Sequence, residues 1–116
     1  MVEYQQHGLD LTFGALAHPI RRTVVERLRG GKQRVTDLAP AFDVSLAAVS
    51  KHIRVLDDAG LVVRTVRGRE HHLSLDPRLL AEASAWIDSY QAYWEDRLDA
   101  LDQLLEARTD ERVDGR

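Results

Sequence analysis

Cysteine is absent from this 116-residue chain. Without it there are no disulfides, no thiolate ligands for a metal ion and no cysteine nucleophile, and the absence fits a reducing cytoplasm. No apolar run approaches the roughly 18 residues that a membrane span needs, and the first seven residues lack the basic and apolar parts of a secretory signal. We therefore expect a cytoplasmic protein with no membrane partner.

Catalytic patterns are missing as well. The sequence has no glycine-rich phosphate loop and no nucleophile elbow. The acidic residues near its end have the spacing of a solvated helix face rather than of a catalytic pair. These absences predict a protein that is not an enzyme and that needs no cofactor.

The net charge of −3 hides an uneven distribution along the chain. Residues 1–17 carry two acids and no lysine or arginine, residues 18–75 carry eleven basic against six acidic residues, and residues 76–116 carry five against eleven. A basic middle between acidic ends favours contact with a polyanion, because binding depends on the local field. An ordinary solvated surface explains the charges alone equally well.

Hydrophobic periodicity predicts one mainly helical domain with a small β-hairpin. In chain order we expect a helix over 9–16, a second from Pro19 to the glycine pair 30–31, a third capped by Thr36 or Asp37, a fourth capped by Ser45 and ended by Gly60, a hairpin over 61–75, and one long helix over 77–106. Residues 1–8 are predicted as an N-terminal arm and 107–116 as a flexible tail. This order of elements is a winged helix-turn-helix, a DNA-reading fold.

The fourth predicted helix is the candidate recognition helix. Val49, Ile53 and Leu56 recur on one stripe and should face the core. Small residues near the helix start would let the backbone approach the groove floor, and polar residues after them offer donors to phosphates and base edges. The DNA-contact residues predicted here are Ser45, Ala47, Ala48, Ser50, Lys51, His52 and Arg54. For His52, helix packing or a phosphate contact is favoured over a metal or catalytic role.

The predicted hairpin carries a second cationic group. Arg64, Arg67 and Arg69 surround Gly68 and form a finger of a size to reach the minor groove or flanking phosphates. A solubilising turn would explain the hairpin alone, but the basic helix nearby favours DNA. His71 and His72 should place their rings on opposite faces of a strand, so they do not easily chelate one ion.

Four strings resemble the ArsR-type winged-helix repressors: residues 16–21 (LAHPIR), 49–56 (VSKHIRVL), 60–62 (GLV) and 68–77 (GREHHLSLDP). The resemblance covers about residues 9–106. It implies a homodimer paired through its first and last helices, and a repressor that a signal releases from its operator.

The sequence departs from the metal-sensing pattern of that family. VTDLA at residues 35–39 stands where one family site has a Cys-x-Cys pair, and no histidine follows His72. A soft-metal site without thiolates is not expected. The chain is similar to the Cys-less branch, so we predict no metal ligands and allow for an unidentified small organic effector.

The predicted last helix has more apolar surface than one small core can cover, and such a surface normally marks an interface. The predicted dimerisation residues are Leu9, Phe13 and Leu16 of the first helix and Ile87, Tyr90, Trp94, Leu98 and Leu101 of the last. Aromatic residues at 86, 90, 93 and 94 favour a packed interface, with a cleft for an apolar effector as the alternative.

One function from another class stays open, a winged-helix protein-interaction module that does not bind DNA. Such modules usually lose the basic residues of the recognition helix and wing, whereas this chain keeps Lys51 and Arg54 in the helix and three arginines in the hairpin. The sequence therefore favours a homodimeric repressor that binds an inverted-repeat operator in double-stranded DNA.

Overall fold

The computed structural model describes the backbone of residues 2–114 and the side chains of residues 7–109. Its helices are α1 (Val2–Leu16), α2 (Pro19–Leu28), α3 (Val35–Leu38), α4 (Leu46–Asp58), α5 (Pro77–Asp88) and α6 (Gln91–Asp114), with a 3-10 turn at Ala39–Ala41. The strands β1 (Gln33–Arg34), β2 (Val62–Arg67) and β3 (Glu70–Leu75) form one antiparallel sheet in the order β1-β3-β2. The predicted mainly helical, winged helix-turn-helix class is confirmed, and β1 is an addition to the predicted hairpin.

The first helix starts at Val2, seven residues before the predicted start at residue 9. The prediction was too short because apolar periodicity begins only at Leu9, and residues 3–8 are almost all polar. Gly8 is buried where α1 passes α5: a Cβ added there would lie 3.3 Å from side-chain atoms of Leu79 and Glu82. This glycine therefore permits the close approach of the two helices.

Two arginines of α2 cap the end of α1. A helix leaves its last carbonyl groups without partners inside the helix. Arg21 Nε donates to the carbonyl oxygen of Ala15 at 2.6 Å, and Arg22 Nη1 donates to that of Leu16 at 2.9 Å. The side chain of His18 in turn caps the start of α2. The α1–α2 junction is therefore held by polar contacts.

Helix α3 follows β1 without a side-chain cap. Its N-cap residue is Arg34, which makes no capping hydrogen bond through its side chain, so the prediction of a cap at Thr36 or Asp37 is wrong. The expected cap is absent because a tertiary contact fixes the residue before the helix: Arg34 pairs with His72 of β3 as a strand residue. The helix can then begin at once after the strand.

Helix α4 has the predicted cap, buried stripe and end. Ser45 Oγ accepts a hydrogen bond from the backbone N–H of Ala48 at 3.1 Å, which confirms the cap. The buried residues of the helix are Val49, Ile53 and Leu56. Gly60 then turns the chain out of the helix with a φ of +84°, a left-handed conformation that favours glycine.

The wing is the hairpin of β2 and β3. Its register runs from Val62 opposite Leu75 to Arg67 opposite Glu70, and Gly68 at the tip has a φ of +62°. The predicted hairpin and its turn are thereby confirmed. The third strand, β1, pairs with β3 and joins the wing to the start of α3.

Asp76 ends the wing and caps α5. Its carboxylate accepts hydrogen bonds from the backbone N–H of Arg78 at 3.1 Å and from Arg78 Nη2 at 2.6 Å. These bonds lower the pKa of Asp76 to about 2, and the bond from the Arg78 side chain has the larger effect. The carboxylate therefore stays charged at the helix N-terminus, where negative charge is favourable.

The predicted single helix over residues 77–106 is wrong, because residues 89–90 divide it into α5 and α6. Ser89 Oγ donates to the carbonyl oxygen of Trp86 at 2.6 Å, and the N–H of Tyr90 bonds to the carbonyl of Ile87, three residues back. A serine side chain competes with helical hydrogen bonding in this way. The apolar spacing continues across the break, so periodicity alone did not reveal it.

The chain divides into two compact units, residues 1–83 and 84–116. The hydrophobic core lies in the first unit, and every side chain over residues 84–109 is exposed.

The predicted boundaries of arm, domain and tail stay predictions, although helical backbone extends over residues 2–16 and to Asp114. None of the described helices has the length and apolar content to cross a membrane. The core residues are Ala15, Val24, Leu28, Leu38, Val49, Ile53, Leu56, Ala59, Leu61, Val62 and Leu73.

Candidate nucleic-acid interface

The face of α4 opposite its buried stripe is polar and open to solvent. Ala47, Ser50, Lys51 and Arg54 are all exposed. They are spaced by three and four residues, so they form one row along the helix. The row begins with a small side chain and ends with two cations, an arrangement that suits close approach to a groove followed by contacts with phosphates or base edges.

The other predicted contacts of α4 are placed less uniformly. Ser45 is exposed, but its hydroxyl is engaged as the helix cap. Ala48 and His52 are half-buried. A DNA contact by these residues stays a prediction.

Three arginines of the wing fall into two groups. Arg67 and Arg69 flank the tip and are exposed. Arg64 lies at the base of the wing, where 29% of its side chain is exposed and Nε is 4.0 Å from Oδ2 of Asp57 on α4. The sequence groups all three around the tip, whereas the structure turns Arg64 toward α4.

A cleft of about 330 Å³ lies between the start of α3, the start of α4 and the wing. It brings predicted DNA contacts together with residues that sequence reasoning missed. The predicted members are Ser50, Arg64 and Arg69, and the missed ones are Arg34, Thr36 and Leu46. Arg34 gives no local signal, because its strand, β1, has only two residues and shows no strand alternation, and only the tertiary structure brings it beside Thr36 and Leu46.

Arg34 is held by acidic side chains beside the cleft. Its guanidinium contacts the carboxylate of Asp37 at 3.0 and 3.3 Å and that of Glu70 at 3.3 Å. The hydrogen bonds to Asp37, then to Glu70, raise the pKa of Arg34. Glu70 also lies 3.1 Å from His72, and the bonds to His72 and Arg34 lower the pKa of Glu70. Part of the positive charge near the wing is therefore balanced within the protein.

His52 connects α4 to the α1–α2 junction. Its Nδ1 is 3.1 Å from Nη1 of Arg21, and its ring centroid is 4.2 Å from that of His18. The pKa of His52 is lowered, mainly by burial and further by the charges of His18 and Arg21. The prediction that this residue serves in helix packing agrees with these contacts.

The second unit carries an apolar row on α5 and α6. Each predicted interface residue of this unit is between 45% and 58% exposed. Leu104 and Leu105 extend the row. The predicted members are Ile87, Tyr90, Trp94, Leu98 and Leu101. Trp86, Ile87, Tyr90 and Trp94 line a depression of about 360 Å³. In the first unit Phe13 is 41% exposed, while Leu9 and Leu16 are half-buried and Leu16 packs against the core.

Potential metal ligands do not converge on one point among the side chains of residues 7–109. No group of three histidine, aspartate or glutamate side chains in that range is placed to hold one ion. His71 is exposed and His72 half-buried, on adjacent positions of β3. The prediction of no metal response rests on the sequence argument and stays a prediction.

Comparison with known proteins adds to this geometry. A family profile described as a helix-turn-helix domain matches residues 16–65. The HTH-type transcriptional regulator Rv2034 of Mycobacterium tuberculosis is 36% identical over 102 residues, which cover 88% of this chain and 92% of that protein. The transcriptional repressor SdpR of Bacillus subtilis is 28% identical over 79 residues, 68% of this chain and 88% of that protein. Among solved structures, the ArsR family transcriptional regulator RHA00566 is 34% identical with a TM-score of 0.69, covering 80% of this chain and 93% of that one.

Proposed function

Since this chain belongs to the ArsR family of winged helix-turn-helix transcriptional regulators, which bind DNA and are not enzymes, we propose that it is a homodimeric repressor of an inverted-repeat operator. The observation that carries the proposal is the division of α4 into two faces. Val49, Ile53 and Leu56 are buried, while Lys51 and Arg54 are exposed on the other side. A helix presented in this way is suited to the major groove.

The roles of the cations follow from their positions. Ser50, Lys51 and Arg54 lie on a rigid helix, so they are proposed to contact base edges and the nearest phosphates. Arg67 and Arg69 lie at the exposed tip of the wing, which favours phosphates or the minor groove. Leu46 is 56% exposed at the first position of α4 and could contact a thymine methyl group.

The exposed apolar row of α6 supports the homodimer. Contiguous apolar surface of this kind is unfavourable in water and normally marks an interface. Two copies related by a two-fold axis would place their recognition helices about 34–36 Å apart, which requires an operator with inverted repeats. Repression would follow from blocking polymerase in the cytoplasm. An organic effector would act only if it bound two dimer geometries with different affinity.

Fluorescence anisotropy with labelled DNA from upstream of the gene tests the proposal. At near-physiological salt we expect saturable binding that is at least about 10³ times tighter than binding to unrelated DNA of equal length. A fragment with one half-site should bind more weakly than one with both. Equal affinity for all fragments would contradict sequence-specific recognition, and no binding to any fragment would favour the alternative of a winged-helix protein-interaction module.

A further inference from the structure

The cleft between α3, α4 and the wing has a lining rich in hydrogen-bond donors. Arg34, Arg64 and Arg69 contribute guanidinium groups, and Thr36 and Ser50 contribute hydroxyls. Its volume of about 330 Å³ is at the small end of the range for ligand pockets, about 300–1,000 Å³. The cleft is therefore large enough for a small anion with several acceptor oxygens.

Arg64 provides the observation that points to a ligand. Its Nε atom is buried and has no hydrogen-bond acceptor among the described residues. The carboxylate oxygen of Asp57 at 4.0 Å is too far for a hydrogen bond. A buried donor without an acceptor is unfavourable. Nε has almost no surface open to solvent, so a ligand would reach this guanidinium only through the 29% of the side chain that is exposed.

The charge of the lining selects the chemistry of that acceptor. Glu70 is the acidic residue among the described lining residues, and it is paired with Arg34 and His72. Arg69 is exposed, and Arg64 is paired only loosely, with Asp57 at 4.0 Å, so both guanidinium groups retain donors for a ligand in the cleft. The planar fork of a guanidinium matches the oxygens of phosphate, and two such groups favour a doubly charged anion.

We propose that this cleft is a phosphate-binding site that takes a small organic phosphate in the DNA-free protein. Val35 and Leu46 also line the cleft and would contact a short apolar substituent of the ligand. Ser50, Arg64 and Arg69 are shared with the proposed DNA interface, so the bound phosphate would compete with DNA. The competition rests on the proposed function, whereas the phosphate site does not. A backbone phosphate of DNA has the same chemistry and is the other source that the experiments separate.

The first experiment measures binding of inorganic phosphate and of phenyl phosphate to the full chain without DNA. Calorimetry and amide chemical shifts are recorded at constant ionic strength with chloride as the reference anion. We expect saturable binding of phenyl phosphate, with shifts around Thr36, Ser50 and Arg64, and weaker binding of inorganic phosphate. Arg64→Lys keeps the charge but lacks the guanidinium fork, so affinity should fall at least tenfold.

The matched control is Arg29→Lys. Arg29 is the exposed residue that follows α2, it is paired with Glu26, and it does not line the cleft. This variant should bind phenyl phosphate like the wild type. Thermal unfolding by circular dichroism accompanies each variant, and Arg69→Lys provides a second test at an exposed position in case Arg64→Lys does not fold. Equal phosphate affinity in all variants would overturn the assignment of the site.

The second experiment titrates phenyl phosphate into the complex with labelled operator DNA. Displacement that is lost in Arg64→Lys supports the competition. If neither probe binds the free protein, the organic-phosphate proposal is overturned, and a greater loss of DNA affinity in Arg64→Lys than in Arg29→Lys then assigns the cleft to DNA phosphates. If phenyl phosphate binds but no DNA does, the proposed function fails while the phosphate site stands.

Discussion

Arg21 and His52 join α2 to α4 through one hydrogen bond of 3.1 Å between Nη1 and Nδ1. A guanidinium has no acceptor, so Nδ1 of His52 must accept, which places the proton of the neutral ring on Nε2. A doubly protonated His52 would lose this bond and would face the cation of Arg21. The lowered pKa of His52 agrees with this arrangement.

We expect the fold to lose stability when His52 is protonated. Because its folded pKa lies below the usual value of about 6.5, the stabilising contribution is complete above about pH 6.5 and is lost as the pH falls through the folded pKa. His52→Gln can still accept from Arg21 but does not titrate. Urea unfolding between about pH 5 and 8 should therefore show a flatter profile for this variant than for the wild type.

The control for that profile is His71→Gln, which removes an exposed histidine on β3. It should keep the wild-type dependence on pH. If His52→Gln and the wild type have parallel profiles, the contact between Arg21 and His52 is not the source of the pH dependence.

Arg54→Ala should weaken operator binding by about 1–3 kcal/mol without changing the unfolding temperature. The reason is its position on the exposed row of α4, where the side chain is open to solvent. Anisotropy titration of the variant checks the effect. Arg29→Ala removes an equally charged side chain just after the end of α2 and should leave the affinity unchanged. An equal loss in both variants would indicate a general charge effect instead.

The double variant Arg67→Ala with Arg69→Ala tests whether the wing arginines contact the DNA backbone or read base edges. Both residues flank a glycine turn at the wing tip, so we expect contacts with phosphates or the minor groove. The plot of log affinity against log salt should become less steep by about 0.9 for each phosphate that the wing no longer neutralises. If the slope stays constant while preference for the operator collapses, the wing reads bases directly.

Trp94→Glu should split the proposed homodimer. Trp94 is 57% exposed on the apolar row of α6, and a charge there would be buried without a partner when two copies pair. DNA affinity should then fall as well, because both half-sites must be held together for tight binding. Light scattering and a gel shift on the same sample test both effects.

Gln103→Glu is the control on the same helix. Residue 103 is nine positions after Trp94 and therefore lies about 180° around the helix from it. This variant should stay dimeric. A Trp94→Glu protein that remains a dimer would show that the interface does not lie on α6. A monomeric variant that binds the full operator like the wild type would contradict the dimer mechanism.

Zinc, cadmium and arsenite at micromolar concentration should not release the protein from DNA. The chain has no cysteine and no histidine after His72, so soft metals lack thiolate ligands and α6 lacks a histidine ligand. Anisotropy of the DNA complex during metal titration checks this. Stoichiometric metal binding by calorimetry with loss of DNA binding would contradict it, and His71 and His72 would be the first residues to replace.

Local patterns predicted the elements that depend on local causes. The cap at Ser45 needs only a hydroxyl before an N–H three residues later, and the glycine tip of the wing needs only a left-handed turn. The break at residues 89–90 was missed because Ser89 competes for a carbonyl without interrupting the apolar spacing. The missing cap of α3 was also unpredictable, since pairing with a distant strand holds Arg34 in place.

The sequence by itself determined the order of elements apart from β1 and the break between α5 and α6, together with the inward stripe of α4 and the cationic wing, because helix periodicity, caps and turns depend on residues a few positions apart. The tertiary structure decided which distant polar and charged side chains come together. Arg21 and His52 are 31 positions apart, and Arg34 and Glu70 are 36 apart. No local pattern encodes such pairs. The first pair forms only when α2 packs against α4, and the second only when β1 joins the wing. The cleft that Arg64 lines likewise exists only because β1, α3, α4 and the wing come together.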